Sequence, residues 1–119
     1  MLASLVSSLP FNLDYEIIFV DDYSTDGTRE WLRSLADERI QTLFNAVNLG
    51  YAKSNNLGAQ LARGRLLGLL NNDLIFKSGW LEPMLKIIED QSNNAGIVGN
   101  VQYRVDDKKL DHAGFEINP

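Results

Sequence analysis

The chain has 119 residues, of which 45% are hydrophobic and 23% charged, with a formal net charge of −5 and no cysteine. This length predicts one domain with a real core, small for a complete enzyme that binds two substrates. The acidic balance excludes general nucleic-acid binding, which needs clustered lysine and arginine, and the lack of cysteine excludes disulfides and thiolate metal sites and fits a reducing cytoplasm.

The chain opens with a predicted helix and a predicted strand. Residues Leu2–Leu9 have helical periodicity, Pro10 and Asn12 end the helix, and Glu16–Val20 is an apolar run that favours a strand. The opening residues lack the basic region and cleavage site of a secretory signal. No apolar run approaches the roughly 20 residues of a membrane-spanning helix. We therefore expect neither a leader nor a transmembrane segment.

The next elements complete a βαβ unit and add a third helix. The segment Ser24–Asp26 can cap a helix with an apolar face, and Ile40–Phe44 is typical of a strand. A third helix is predicted over Tyr51–Arg63, with Gly64 as the residue just past its end.

The second half of the chain repeats this alternation. Leu66–Leu70 is continuously apolar, as a parallel strand covered on both faces requires. Ser78 is predicted to cap a fourth helix, and Ile97–Tyr103 and Phe115–Ile117 are predicted strands. Alternating strands and helices predict the α/β class, with right-handed crossovers and a three-layer α/β/α arrangement around a mostly parallel sheet.

Two acidic residues end the first predicted strand. Asp21 and Asp22 follow an apolar run and precede a turn, at the sheet edge where open α/β folds bind ligands. A carboxylate there can accept hydrogen bonds from a nucleobase N–H or a ribose hydroxyl. The alternative is that these acids only cap the turn. We favour ligand binding for the pair and a structural role for Asp26, in or near the first turn of a helix.

A third acid, Asp73, follows Leu69 and Leu70 after two asparagines. Its carboxylate can bind a hard divalent cation that bridges two phosphates, with phosphate and water as the other ligands. A strand-ending turn explains Asn71–Asp73 equally well when the segment is taken alone. The acids at Asp21 and Asp22 favour the cation-binding interpretation.

Glycine and asparagine are concentrated where the third helix should start. Gly50 and Asn56 are weak helix formers, and their placement makes sense if backbone N–H groups and side-chain amides face a ligand. Lys53 could neutralise phosphate charge there. The alternative for Lys53 is an ordinary solvated lysine.

Taken together, these motifs resemble those of the family 2 glycosyltransferases, which have the GT-A fold of nucleotide-diphospho-sugar transferases. The resemblance is closest to rhamnosyltransferase-like members and covers nearly the whole chain. The ordered segments that carry it are Glu16–Thr28, Asn48–Gly50, Asn56–Gly58, Leu70–Asp73 and Trp80–Leu81.

The resemblance implies transfer of a sugar, with inversion, from a UDP- or dTDP-sugar to the hydroxyl of a saccharide or lipid-linked acceptor. It implies that Asp73 holds Mn²⁺ or Mg²⁺ on the diphosphate, with Asn71 in place of the family's first acid. It further implies a cytoplasmic location, at the inner face of the membrane, and a role in cell-envelope polysaccharide synthesis. The residues assigned to nucleotide binding are Asp21, Asp22, Ser24, Gly50, Lys53, Asn56 and Asn72.

The sequence departs from the family pattern at both ends. The usual first apolar strand is lacking, and no counterpart of the acidic catalytic base precedes Pro119. We therefore expect residues 1–119 to form a single partial GT-A nucleotide-sugar-binding domain that is inactive alone. The lost strand would lie centrally in the sheet, so the chain is expected to dimerise or swap elements.

Two other functions remain open from the sequence. A phosphoacceptor receiver domain of the signalling type also has an acidic pair after its first strand and an aspartate after a later one. The chain has neither the Ser or Thr at the end of the next strand nor the Lys-Pro that such a domain needs. A non-catalytic nucleotide-sugar binder is the second alternative, since donor recognition does not require the base.

Overall fold

A computed structural model describes residues 1–112 of the chain. The contacts divide these residues into two compact units. One comprises Asp14–Asn71, and the other comprises Met1–Leu13 together with the described residues from Asn72 onward. Each unit is described by itself below.

The Asp14–Asn71 unit is built on two parallel strands. Strand β1 (Ile17–Asp21) pairs with β2 (Ile40–Phe44), with Ile17 opposite Ile40 and Asp21 opposite Phe44. Parallel neighbours need a crossover connection, which here contains helix α2 (Thr28–Arg33). The predicted βαβ unit and its α/β class are confirmed.

Helices α2 and α3 (Tyr51–Leu61) contact alternate side chains of β1. The ring of Phe19 lies 5.9 Å from that of Trp31 in α2. On α3, a Cβ added at Gly58 would lie only 2.7 Å from a methyl group of Val20. Because successive strand residues point to opposite faces, the two helices pack on opposite faces of β1.

Helix boundaries in this unit differ from the predicted ones by a few residues. Helix α2 starts at Thr28, after Gly27 with a left-handed φ of 87°, and has no side-chain cap. Asp26 instead accepts hydrogen bonds from the N–H and hydroxyl of Thr28, at 3.1 and 2.6 Å. Helix α3 ends at Leu61, two residues early, and the N–H of Arg63 donates to Glu16 at 2.6 Å.

The prediction of a buried strand at Leu66–Leu70 is wrong. These residues have no regular secondary structure in the described part of the chain, and their side chains are exposed, Leu67 by 55% and Leu69 by 58%. A strand needs a neighbouring backbone to satisfy its N–H and C=O groups. The only parallel ladder among residues 1–112 joins β1 and β2, so the apolar run has no ladder to join.

The second unit contains helix α1 (Leu2–Ser8), helix α4 (Glu82–Glu89) and a 3₁₀ turn at Gln91–Asn93. Its strands β3 (Gln102–Tyr103) and β4 (Leu110–His112) pair antiparallel. The prediction for α1 is confirmed to within one residue. The mostly parallel sheet predicted for the whole chain is instead two separate two-stranded sheets among the described residues.

The hydroxyl groups of α1 hold the segment before α4. The N–H of Phe76 donates to Ser4 at 3.2 Å, and the indole N–H of Trp80 donates to Ser8 at 3.0 Å. The rings of Phe76 and Trp80 are 4.8 Å apart. With the buried side chain of Leu5, these contacts form the small core of this unit.

Three predictions for the second half need correction or fall outside the structure. Ser78 does not cap α4, which begins at Glu82 without a side-chain cap. The predicted strand Ile97–Tyr103 is reduced to β3, and Ile97 is 92% exposed. Gly99 lies inside the predicted strand, where glycine weakens pairing. The predicted strand Phe115–Ile117 lies outside the described residues.

Candidate functional site

The carboxyl end of β1 directs two adjacent acids to opposite sides. Phe19 faces α2 and Val20 faces α3. Side chains alternate along a strand, so the side chain of Asp21 lies on the side of α2 and that of Asp22 on the side of α3. The two carboxylates therefore have separate surroundings although they are neighbours in the sequence.

The Asp21 carboxylate is enclosed by protein groups. Its side chain has no exposed surface, Arg29 Nε lies 2.6 Å away, and the N–H of Ser24 donates to it at 3.3 Å. Burial raises the pKa of Asp21, but hydrogen bonds from Ser24 and Arg29 and the Arg29 charge outweigh burial and lower the pKa overall. A nucleotide contact by Asp21 stays a prediction, and the carboxylate has no exposed surface with which to make it.

Arg29 links the ends of both parallel strands. Besides its ion pair with Asp21, it donates a hydrogen bond to the backbone carbonyl of Asn45, just after β2. Its guanidinium also lies 5.4 Å from the ring centre of Tyr23. Tyr23 has a φ of 72°, which is uncommon for a non-glycine residue. Contact with Arg29 helps to hold this tight turn between Asp22 and Ser24.

The Asp22 carboxylate accepts three hydrogen bonds. The N–H of Leu49 and the side-chain amide of Asn45 donate to Oδ1 at 2.7 and 2.9 Å, and the N–H of Gly50 donates to Oδ2 at 2.8 Å. These bonds, the one from Leu49 first, and the Ser54 hydroxyl outweigh burial and lower the pKa of Asp22 from 3.8 to about 2. The group is thus an anion at neutral pH.

Gly50 has a backbone conformation that only glycine adopts readily. Its φ of 79° and ψ of 166° belong to a region closed to residues with a Cβ. Immediately before α3, the N–H groups of Leu49 and Gly50 both donate to Asp22. The N–H of Gly50, expected from the sequence to face a ligand, therefore donates within the protein.

Asn45 and Ser54 connect Asp22 to α3. Both side chains are buried, each residue being 6% exposed. The Asn45 amide donates to Asp22 Oδ1 and to the hydroxyl of Ser54, both at 2.9 Å. The ends of β1 and β2 and the first turn of α3 are therefore joined by one hydrogen-bonded network.

Lys53 and Asn56 lie exposed on the first two turns of α3. Residues three apart lie on the same side of a helix. Neither side chain makes a hydrogen bond or ion pair within residues 1–112. This exposure agrees equally with the alternative of an ordinary solvated lysine, and the role of both residues in binding stays a prediction.

Asn72 and Asp73 form an exposed turn in the other unit. The predicted pairing of Asp73 with Asp21 and Asp22 around one nucleotide stays a prediction. In the part of the chain that the structure describes, no group of three His, Cys, Asp or Glu residues could hold a metal ion. Asp73 fits Mn²⁺ or Mg²⁺ only as a single ligand, with phosphate and water supplying the others.

The sequence analysis missed Arg29, Asn45 and Ser54. Asn45 had a usable signal, since it directly follows β2 at the same sheet edge as the two acids. Arg29 and Ser54 had none, because their roles depend on how α2 and α3 pack on β1.

The protein family described as Glycosyl transferase family 2 matches residues 1–117 of the chain. The chain belongs to this family. The resemblance found in the sequence motifs is thereby confirmed, and the match favours the glycosyltransferase prediction over the receiver-domain alternative. A small parallel sheet in an α/β unit agrees with the fold that this family implies.

Several bacterial relatives are similar to parts of this family 2 chain. A Bacillus subtilis (strain 168) protein with the provisional name teichuronic acid biosynthesis glycosyltransferase TuaG is 38% identical over 80 residues, which cover 66% of this chain and 32% of the relative. Glycosyltransferase GlyG of Streptococcus pneumoniae serotype 4 is 29% identical over 87 residues, which cover 71% of this chain and 29% of the relative. An uncharacterized glycosyltransferase of Nostoc sp. is 31% identical over 111 residues, which cover 87% of this chain and 33% of the relative.

The chain spans about a third or less of the length of the curated relatives it matches. No solved structure matches it. Among the described residues, no helix has the length and apolar character needed to cross a membrane.

Proposed function

We propose that this chain forms the donor-binding part of a glycosyltransferase that moves a sugar from a UDP- or dTDP-sugar to an acceptor hydroxyl, with inversion. The observation that carries the proposal is the family match over residues 1–117, combined with the ionised, rigidly held Asp22 at the carboxyl edge of the parallel strands. Packing of α2 and α3 on opposite faces of β1 supports a three-layer GT-A domain.

Asp22 is the residue proposed to recognise the nucleoside. A carboxylate offers about four acceptor positions, and Asp22 uses three of them for Asn45, Leu49 and Gly50. The Ser54 hydroxyl also helps to lower the pKa of Asp22, so an N–H or O–H of the ligand binds where these protein donors leave a carboxylate oxygen accessible. The imide N–H that uracil and thymine share is a donor of this kind, as is a ribose hydroxyl.

The other assigned residues act in different ways. Lys53 supplies positive charge and Asn56 an amide on the exposed side of α3. Gly50 permits the turn that orients Asp22. Asp21 and Ser24 support this end of β1 through Arg29 and the turn.

Asp73 is proposed to be the protein ligand of Mn²⁺ or Mg²⁺ on the donor diphosphate, next to Asn72. Such a cation stabilises the negative charge of a leaving diphosphate. The general base and the binding of a saccharide or lipid-linked acceptor are assigned to parts of a longer protein. The chain alone is then a donor binder without transfer activity, and its cytoplasmic location and cell-envelope role stay predictions.

Isothermal titration calorimetry of the chain with UDP, dTDP, GDP and ADP, with and without Mn²⁺, tests the proposal. We expect UDP or dTDP to bind more tightly with Mn²⁺ than without it. Asp73→Ala should remove this metal dependence and weaken binding in Mn²⁺ by about tenfold or more, since loss of even a residue that only orients a metal ligand costs about 10–100-fold.

Glu82→Gln is the matched control, because Glu82 is an exposed acid of the same unit with no hydrogen bond or ion pair within the described residues. It should bind as the wild type does. Equal affinity for all four nucleotides, or the same metal response in Asp73→Ala, would refute the proposal. Nucleotide binding with neither sugar transfer nor hydrolysis in a longer protein that contains this chain would select the non-catalytic binder.

A further inference from the structure

Asn45 is held rigidly at the end of β2 by its backbone. Its N–H donates to the carbonyl of Asp21 at 2.9 Å, continuing the parallel ladder by one residue. Its own carbonyl accepts a hydrogen bond from Arg29. With both backbone groups bonded, the Cα of Asn45 has a fixed position beside the end of β1.

The side chain of Asn45 is equally constrained. A carboxylate only accepts hydrogen bonds, so the Asn45 group that faces Asp22 is the NH₂ group. The same NH₂ group donates its second hydrogen to Ser54, at 2.9 Å. Both hydrogens are used, and the residue is 6% exposed, so the amide cannot rotate without losing a buried hydrogen bond.

This arrangement determines the orientation of the Asp22 carboxylate. The N–H groups of Leu49 and Gly50 bind one oxygen each and come from a single turn before α3. Asn45 binds Oδ1 from a different element, the end of β2. Contacts from two directions fix the plane of the carboxylate, and with it the directions from which its oxygens can accept a hydrogen bond from a ligand.

We propose that Asn45 is a positioning residue whose side-chain NH₂ group holds the Asp22 carboxylate in the orientation that binds the donor nucleoside. The inference rests on the proposed function and adds a residue to the same site. Asn45 itself does not touch the nucleotide. Its effect on nucleotide affinity passes entirely through Asp22.

A double-mutant cycle separates positioning from general support of the fold. UDP and dTDP are titrated into the wild type, Asn45→Ala, Asp22→Asn and the double variant. With Asp22 intact, Asn45→Ala should weaken nucleotide binding by about tenfold, the change in affinity expected for the loss of one hydrogen bond to a charged group. In the Asp22→Asn background it should change affinity less than about twofold. An equal loss in both backgrounds would overturn the inference.

A second readout needs no nucleotide. Carboxyl NMR should give a pKa for Asp22 near 2 in the wild type and a clearly higher value in Asn45→Ala. Asn48→Ala is the matched control. Asn48 accepts a bond from the N–H of Gly50 at 3.1 Å, which that N–H shares with Asp22, so its removal should not raise the pKa of Asp22. Asn45→Leu, which keeps the size of the side chain but not its NH₂ group, replaces Asn45→Ala if that variant does not fold.

The two readouts distinguish the possible failures. If no nucleotide binds the wild type but the pKa of Asp22 rises in Asn45→Ala, the proposed function fails while the orientation of Asp22 by Asn45 stands. If the pKa of Asp22 is the same in the wild type and in Asn45→Ala, the positioning inference is overturned whatever the nucleotide data show.

Discussion

At the scale of single residues, the Asp21–Arg29 pair and the Asp22 network use acids in two different ways. Asp21 is a buried anion neutralised by one cation, whereas Asp22 is an anion held by amide donors. Removing a partner has different consequences in the two cases. An unpaired buried charge is costly, whereas a carboxylate that loses one amide donor still has the others.

Arg29→Met should therefore strongly destabilise the chain. It leaves the fully buried Asp21 carboxylate without its cation, and breaking such a pair costs about 3 kcal/mol or more. Urea unfolding followed by tryptophan fluorescence measures the change in the free energy of unfolding. The double variant Asp21→Asn with Arg29→Met should recover part of the loss, since no buried charge remains.

Arg33→Met is the matched control on the same helix. Arg33 is 57% exposed and lies 3.9 Å from Glu30, so its ion pair contributes little. We expect a loss below about 1 kcal/mol. A loss at Arg33 as large as that at Arg29 would contradict the special role of the buried pair.

The lowered pKa values of carboxylates near β1 predict that the chain loses stability in acid. The pKa of Glu16 lies below 4.5, chiefly because the N–H of Arg63 donates to it, and the pKa values of Asp21 and Asp22 lie below 3.8. A lowered pKa in the folded state stabilises the fold above the ordinary pKa, and this contribution is lost as pH falls through the folded value. Stability should therefore be maintained above pH 5 and fall between about pH 4 and pH 2.

Urea midpoints measured from pH 7 to pH 2 test this dependence. Asp22→Asn should lower stability at pH 7 and flatten the fall between pH 4 and pH 2. Asp14→Asn is the control, because Asp14 is exposed and makes no hydrogen bond or ion pair within the described residues. A curve for Asp22→Asn parallel to that of the wild type would show that Asp22 does not contribute.

At the scale of elements, the close approach of α3 to β1 depends on Gly58. A Cβ at this position would meet a methyl group of Val20 at 2.7 Å. Overpacking costs about 1–3 kcal/mol, while alanine gains about 1 kcal/mol over glycine in helix propensity. We expect Gly58→Ala to lower the free energy of unfolding by up to about 2 kcal/mol.

Val20→Ala removes the obstructing methyl group and gives the control for this effect. In that background, Gly58→Ala should be neutral or stabilising, because only the gain in helix propensity remains. Chemical denaturation of the four proteins in the cycle measures the coupling. The same cost in both backgrounds would mean that Gly58 is required for another reason.

The elements also show which predictions a sequence can support. The strands β1 and β2 and the helices α1 and α3 were predicted because apolar periodicity and breakers such as Pro10 are local signals. Local signals could not decide whether Leu66–Leu70 forms a strand, because a strand also needs a neighbouring strand to pair with. The different surroundings of Asp21 and Asp22 follow from strand alternation, but their partners Arg29 and Asn45 depend on tertiary packing.

At the scale of the whole molecule, exposed leucines predict self-association. Leu66, Leu67, Leu69 and Leu70 are all at least 38% exposed in one short run, and apolar patches of this kind favour association. Light scattering after size-exclusion chromatography should show an average mass that rises with protein concentration. The sequence leads to the same expectation of a dimer or a swapped assembly, and this association stays a prediction.

Replacing Leu67 and Leu69 by lysine should shift the chain towards the monomer. The control replaces Val101 and Val105, which are 52% and 74% exposed, by lysine, and so makes the same change in charge elsewhere. It should associate as the wild type does. A wild type that stays monomeric and highly stable at every concentration would contradict the prediction.

The two tryptophans of the chain fall one in each unit. Trp31 contacts Phe19 in the Asp14–Asn71 unit, and Trp80 donates to Ser8 in the other. The molecule therefore carries a separate intrinsic fluorophore in each half. Single Trp-to-Phe variants turn the emission of the remaining indole into a local reporter, so that melting of each half can be followed separately in one polypeptide without added dyes.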